Sequence, residues 1–155
     1  MTATIIPFMP EHAPIFDRLN RAWIEELFVI EPSDDKVLLN PQHHIIDTGG
    51  EIWFAAWEGE IVATYALMPE SLGIYEFAKL GVDKNARGRG LARTLLRHSK
   101  ERARANGAHT LRILTNSQLV AANTLYRSEG FIEVPLSDEQ RARYDRVDIL
   151  YDFAL

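Results

Sequence analysis

A short turn between a predicted strand and a predicted helix carries two glycines among arginines: Arg87, Gly88, Arg89 and Gly90. Glycine can adopt a positive φ and places no side chain in front of a ligand. The first N–H groups of a helix have no partner inside the helix, and the helix dipole adds positive charge there. The pattern is therefore typical of a phosphate or diphosphate site. A plain tight turn is the alternative that glycine spacing alone leaves open.

The turn does not match the common nucleotide-binding motifs. The dinucleotide fingerprint needs a third small residue where this chain has Arg93, and an acid near the end of the next strand. Residues 110–115 contain no acid, and no P-loop lysine signature is present. The sequence therefore supports neither hydride transfer nor mononucleotide hydrolysis.

The charge distribution sets the turn inside a cationic segment of an acidic chain. The formal net charge is −5, which argues against nonspecific nucleic-acid binding. Residues 84–104 nevertheless hold eight of the 17 Lys and Arg residues and one of the 22 acids. A solvated helix face and a site for a small polyanion both fit this run. The two glycines favour the polyanion site.

The composition excludes several classes of protein. The 155 residues contain no cysteine, which excludes disulfides, a thiolate nucleophile and cysteine-ligated metals. Residues 43 and 44 are adjacent histidines that cannot both ligate from one helical face, so we expect no metal. No apolar run is long enough to span a bilayer, and the first residues do not resemble a secretory signal. We expect a soluble, cytoplasmic protein.

The hydrophobic periodicity predicts a mixed sheet with helices on both faces. The predicted strands are 4–8, 51–57, 61–68, 74–82, 109–115, 131–134 and 147–153, and the predicted helices are 10–30, 33–47, 90–105 and 118–129. Pro41 is expected to end the second helix early. The resulting order is βααβββαβαββ, an α/β (α+β mixed-sheet) fold with parallel pairing through the 90–105 crossover.

Two motifs resemble those of the GNAT N-acetyltransferases. The segment from Arg87 to Ala92 fits the family's R/Q-x-x-G-x-G/A motif, and it follows a strand that ends at Leu80-Gly81-Val82. The second hallmark is matched by Asn123, Leu125, Tyr126, Gly130 and Phe131. The resemblance extends along nearly the whole chain and implies one GNAT domain over residues 1–155.

The resemblance implies acetyl-CoA as cosubstrate, held where two parallel strands splay apart. The positions it assigns to donor binding are Leu80, Val82, Arg87, Gly88, Arg89, Gly90, Leu91, Ala92, Asn116 and Asn123. The glycine turn would bind the pyrophosphate, and the strand before it would pair with the pantetheine arm. The Val82 N–H would stabilise the thioester oxyanion. Asn116 either contacts pantetheine or caps the next helix, and Arg93 and Arg97 either reach the phosphates or face solvent.

The implied reaction is direct acyl transfer through a tetrahedral intermediate, without a metal. Tyr126 matches the family's proton donor for the leaving thiolate, with core packing as its alternative role. Glu76 resembles the general base of several members, acting directly or through water. It lies six residues before Val82, so an uninterrupted strand places both on one face. Lys79 then falls on the opposite face, where we expect a structural role.

The acceptor is expected to be a primary amine, either on a small molecule or on a protein. Candidate acceptor residues are Trp23, Glu26, Phe28 and Glu31, although the residue type of Trp23 favours a place in the core. Neither nucleic acid nor membrane is an expected partner, and a homodimer is left open because dimers are common in the family. A noncatalytic acyl-CoA sensor and a nucleotide-binding regulator are the alternative functions.

Overall fold

The computed structural model describes residues 2–155, which form one seven-stranded sheet in the order β1-β2-β3-β4-β5-β7-β6. The strands are β1 (Thr4–Pro7), β2 (Glu51–Trp57), β3 (Glu60–Ser71), β4 (Ile74–Val82), β5 (Thr110–Thr115), β6 (Ile132–Val134) and β7 (Ile149–Ala154). The helices are α1 (Ala13–Leu27), α2 (Pro32–Leu39), α3 (Leu91–Ala105), α4 (Val120–Ser128) and α5 (Asp138–Arg141). Strands β4 and β5 pair in parallel, and every other neighbouring pair is antiparallel. The predicted mixed α/β fold is confirmed.

The predicted element order is correct, with two local differences. Helix α2 ends at Leu39, and a π-helical turn at Gln42–Ile46 follows Pro41, as expected of a proline that blocks continuation of the helix. The polar loop before β7 contains the short helix α5, whose N-cap Ser137 accepts a hydrogen bond from the Gln140 N–H. Among residues 2–155, no helix is long and apolar enough to cross a membrane.

A separate hydrophobic core lies on each face of the sheet. Helices α1 and α2 cover one face, where Phe16, Ile24 and Leu38 pack against Phe54. Helices α3 and α4 cover the other, and its buried side chains include Phe77, Leu95, Leu96 and Tyr126. Because both faces are covered, the sheet holds the ends of its strands rigidly.

A β-bulge interrupts β4 between Ala78 and Gly81. Ala66 of β3 pairs with Ala78 of β4, and Thr64 pairs with Gly81. Between these two pairs β3 therefore covers two residues and β4 covers three. Lys79, inside the bulge, has a φ of 55°. An extra residue reverses the side-chain alternation for the rest of the strand.

The bulge overturns the predicted relation between Glu76 and Val82. Met68, the β3 partner of Glu76, packs in the core beneath α1 and α2. Ala63, the partner of Val82, lies in the core beneath α3 and α4. The expectation that Glu76 and Val82 share a face is therefore wrong, because period-two counting assumes an unbroken strand.

The parallel pairing of β4 and β5 is short. It extends only over Ile74–Glu76 of β4 and Thr110–Arg112 of β5. Beyond this point β5 stays paired with β7 as far as Thr115, and β4 stays paired with β3 as far as Val82. A gap between β4 and β5 therefore opens immediately after Glu76.

Candidate active site

A large cavity of about 520 Å³ occupies the gap between β4 and β5. Its walls come from α1, β4, the start of α3, β5 and α4. Of the predicted donor-binding positions, those lining it are Leu80, Val82, Arg87, Gly88, Gly90, Leu91 and Ala92. The fold thus brings the glycine turn and the end of β4 to one cavity, as the sequence predicts.

The glycine turn is open toward ligands. Gly88 and Gly90 have φ values of 81° and 74°, and Gly90 is the N-cap of α3. A Cβ built at either residue meets no heavy atom within 4 Å. The N–H groups of the first turn of α3 lack helical partners, so the turn can bind an anion through its backbone.

The arginines around the turn are engaged by protein groups. Arg87 donates to Glu26 at 2.7 Å, and the Arg89 guanidinium lies 5.1 Å from the centre of the Trp57 ring. Arg93 and Arg97 both donate to Glu129. In the described part of the chain, the backbone amides and the dipole of α3 have no acid partner. They are therefore the groups that remain available to bind an anion in the large cavity.

Glu129 forms ion pairs with three cationic side chains of α3. Its carboxylate contacts Arg93, Arg97 and Lys100, and its carbonyl accepts from Lys100 at 2.6 Å. Burial acts to raise the pKa of Glu129, but the arginines outweigh burial and lower it. Arg93 and Arg97 thus pair with Glu129 while much of each side chain faces solvent, in keeping with the second of their two expected roles.

Tyr126 both packs in the core and lines the large cavity. Its ring makes edge contacts with Phe77 and Tyr151, and the residue is 5% exposed. Burial raises the pKa of Tyr126 far above its usual value. The phenol therefore stays protonated at neutral pH and can donate a proton into the cavity.

Asn116 and Asn123 are occupied by internal hydrogen bonds. Asn123 donates to the carbonyls of Asn116 and Leu119, and its side-chain oxygen accepts from the Tyr151 hydroxyl at 2.9 Å. Asn116 donates to the Arg146 carbonyl at 2.6 Å and accepts from the Gln118 N–H at 2.8 Å. Both side chains hold the β5–α4 connection in place, but Asn116 does not cap α4, whose N-cap is Leu119 without a side-chain hydrogen bond.

A small cavity of about 80 Å³ adjoins the large one. Leu114 and Thr115 at the end of β5 line both, together with Trp23 of α1. Glu76 lines the small cavity, is 6% exposed and accepts from Arg143 Nη1 at 2.9 Å. Burial raises the pKa of Glu76, and Arg143 limits the rise.

Lys79 lies beside Glu76 in the small cavity, which corrects its predicted position on the opposite face. Its ammonium donates to the Tyr144 hydroxyl at 3.0 Å and lies 3.7 Å from Asp34. Arg146 donates to the fully buried Asp34 at 2.5 and 2.9 Å. Burial acts to raise the pKa of Asp34, but the Arg146 hydrogen bonds outweigh it and lower that pKa.

The residues that sequence reasoning missed are Arg143, Tyr144 and Arg146, in the loop between α5 and β7. The only sequence signal was a cluster of bases and one tyrosine in a segment interpreted as a polar connection. Their partners Asp34 and Glu76 are more than 60 residues away in the chain. No local pattern could connect them.

The predicted acceptor residues divide between the two cavities and the core. Trp23 lines both cavities, and Glu26 lines the large one. Phe28 packs against the core beneath α1 and α2. Glu31 accepts from Arg146 at 3.0 Å. Residues 2–155 contain no cluster of three or more histidine or acidic side chains suited to a metal ion.

The comparisons with known proteins agree with this architecture. The acetyltransferase (GNAT) domain family matches residues 48–133, more than half of the chain, and the protein belongs to this family of acyltransferases. N-acetylaspartate synthetase of Xenopus tropicalis is 33% identical over 94 residues, which are 60% of this chain and 35% of that protein. The chain thus spans about a third of the length of the curated relatives it matches.

Solved structures share the whole fold at low sequence identity. A GNAT acetyltransferase from Staphylococcus aureus Mu50 superposes with a TM-score of 0.88 at 19% identity, covering 99% of both chains. A Bacillus subtilis acetyltransferase in complex with CoA superposes with a TM-score of 0.77 at 20% identity, also over 99% of both chains.

Proposed function

We propose that this protein is an N-acetyltransferase that moves the acetyl group of acetyl-CoA to a primary amine. One observation carries the proposal: the open glycine turn and Tyr126 line a large cavity, and the small cavity with the buried carboxylate of Glu76 adjoins it. A site for a diphosphate, a proton donor and a proton acceptor are therefore present in adjoining spaces. Each of these elements assists acetyl transfer from a CoA thioester to an amine.

The residues around the large cavity fit acetyl-CoA. The backbone amides from Gly88 to Ala92 are open to its diphosphate. The edge of β4 that faces the gap, at Leu80 and Val82, is free of β5 and can pair with the pantetheine arm. Acetyl-CoA supplies a thioester, whose carbonyl carbon accepts the amine.

Two side chains carry out the proton transfers of the reaction. The acceptor amine attacks the thioester directly and forms the N–C bond of a tetrahedral intermediate, whose collapse breaks the C–S bond and releases the CoA thiolate. The absence of cysteine excludes a cysteinyl intermediate. Glu76, directly or through water, takes the proton that the amine loses. Tyr126 gives a proton to the departing sulfur. Proton exchange with solvent then returns Glu76 to its ionised form and Tyr126 to its protonated form.

We place this acetyl-CoA-dependent enzyme in the cytoplasm. We expect neither nucleic acid nor membrane as its partner. The acceptor is a small molecule or a protein amino group. The name of the curated relatives points to an amino acid acceptor in those proteins.

The test is thiol release from acetyl-CoA with a panel of amines, alongside thermal shift with CoA, ATP and NAD. We expect protection by CoA and release of thiol with at least one amine. Protection by CoA without turnover of any amine would favour the noncatalytic sensor. Protection by ATP or NAD but not by CoA would favour a nucleotide-binding regulator.

A further inference from the structure

The small cavity carries an unusual charge balance for a site that receives an amine. Its lining includes three cations, Lys79, Arg143 and Arg146, and one carboxylate, Glu76. Asp34 and Glu31 lie behind this lining and pair with Lys79 and Arg146, so the charges of the whole cluster balance. Arg143 differs from the other two cations, because its one acid partner within residues 2–155 is Glu76, the candidate base itself.

A buried acid holds two of these cations in position. Asp34, with no exposed side-chain surface, lies next to Arg146 and Lys79 and does not line the cavity. Glu31, the N-cap residue of α2, also binds Arg146. Tyr144 adds a rigid support, because Lys79 and Arg146 lie 4.8 and 4.7 Å from its ring centre. The cations are thus oriented before any ligand binds.

Most N–H donors of the Arg143 guanidinium have no hydrogen-bond partner among the described residues. In the part of the chain that the structure describes, the one hydrogen bond of its guanidinium runs from Nη1 to Glu76, and 37% of its side chain is exposed. Its remaining N–H groups can bind a carboxylate in the forked geometry that guanidinium groups favour.

The pairing of Arg143 with Glu76 also limits the shape of the acceptor. Their contact is 2.9 Å, so a carboxylate on the free edge of Arg143 lies one guanidinium width from the proposed base. An amine within reach of Glu76 must then be close to that carboxylate within the same molecule. The volume of about 80 Å³ is far below the roughly 300–1,000 Å³ of drug-sized sites.

We propose that the acceptor is a small α-amino acid whose carboxylate binds the free donors of Arg143, while its amine points toward Glu76 and Thr115. This inference rests on the proposed acetyltransferase function. It adds the substrate class and assigns acceptor specificity to the loop between α5 and β7.

The experiment measures thiol release with the standard L-amino acids, their α-amides and 6-aminohexanoate. For the preferred amino acid, we expect kcat/KM at least about tenfold above that of its amide and of 6-aminohexanoate, from loss of one charge-assisted contact. Amides or 6-aminohexanoate used equally well would overturn this inference while leaving the acetyltransferase function intact. No turnover of these compounds would overturn this inference alone if another amine or a protein amino group is acetylated, and both proposals if none is.

Arg143→Gln tests the assigned residue. We expect KM for the preferred amino acid to rise about tenfold to 100-fold, with KM for its amide nearly unchanged. Arg141→Gln, an exposed arginine at the end of α5, is the matched control and should change neither value. Equal losses for acid and amide, with the CoA thermal shift retained, would show a structural role and refute carboxylate recognition.

Discussion

The large and small cavities meet at Leu114 and Thr115, yet they are built in different ways. The large cavity offers mainly backbone groups and apolar side chains, and its nearest arginine, Arg87, is bound to Glu26. The small cavity offers charged side chains held by a buried acid and by a loop distant in sequence. Backbone recognition needs little more than a local turn, whereas side-chain recognition needs the tertiary fold. The donor site should therefore be sensitive to main-chain access and the acceptor site to individual charges.

The largest effect is expected from Gly90→Glu. A side chain at this residue projects into the open turn, blocks the amides and places negative charge where the diphosphate binds. Loss of two charge-assisted hydrogen bonds corresponds to roughly 1,000-fold weaker CoA binding, measured by calorimetry. Gly107→Glu is the matched control, because Gly107 also has a positive φ and open space but lies at the other end of α3. Unchanged CoA affinity in Gly90→Glu would refute the diphosphate site.

Tyr126→Phe removes the proton donor while keeping the aromatic contacts. We expect kcat to fall about 100-fold with donor affinity nearly unchanged, which is typical of losing a general acid. Steady-state kinetics with CoA binding separate the two effects. Tyr65→Phe is the control, since its hydroxyl bonds to His98 and lines neither cavity. Wild-type kcat in Tyr126→Phe would leave this tyrosine with a packing role alone.

Glu76→Gln should change the pH dependence of kcat/KM. Burial raises the pKa of Glu76, and the base must be ionised, so activity rises as pH increases through that pKa. The acceptor amine must also be neutral, so log(kcat/KM) of the wild type should have a slope of two below the pKa of Glu76 and one above it. The variant should show a slope of one throughout, and about tenfold lower activity at neutral pH.

Glu70→Gln provides the control for that profile. Glu70 is also paired with an arginine, Arg112, at 2.9 Å, but it lines neither cavity. Its variant should keep the change of slope, displaced toward lower pH because the Glu70 charge contributes to raising the pKa of Glu76. If Glu76→Gln kept the change of slope too, the proton acceptor would be another group.

The smallest effect is expected from Glu26→Gln at the rim of the large cavity. Glu26 binds Arg87 in a pair that is nearly half exposed on both sides. Freeing Arg87 should tighten CoA binding less than about fivefold, and more at low salt than at high salt. Glu25→Gln, an exposed neighbour, should leave the affinity unchanged. Weaker CoA binding in Glu26→Gln would mean that the pair itself shapes the glycine turn.

The donor side of the site was predictable because it is local in sequence. Gly88, Gly90 and the helix that follows are adjacent in the chain, and their conformations depend on glycine's freedom and on the helix start. The position of Arg93 and Arg97 was not predictable, because Glu129 reaches them from the end of α4.

The acceptor side was predictable only in part. Glu76 was recognised as a candidate base, but its face was wrong because the bulge at Lys79 adds a residue to the strand. Arg143 and Arg146 were missed because their partners lie in α2 and β4. A bulge depends on how two strands register against each other, which a period-two pattern does not record.

The sequence by itself determined the order of strands and helices, the glycine turn and the family resemblance, because each depends on residues close together in the chain. Tertiary structure alone decided that Glu76 faces away from Val82, that Glu129 pairs with Arg93 and Arg97, and that three cations line the small cavity together with one carboxylate. Contacts of this kind form between distant segments, so their geometry follows from packing the two faces of the sheet rather than from any local pattern.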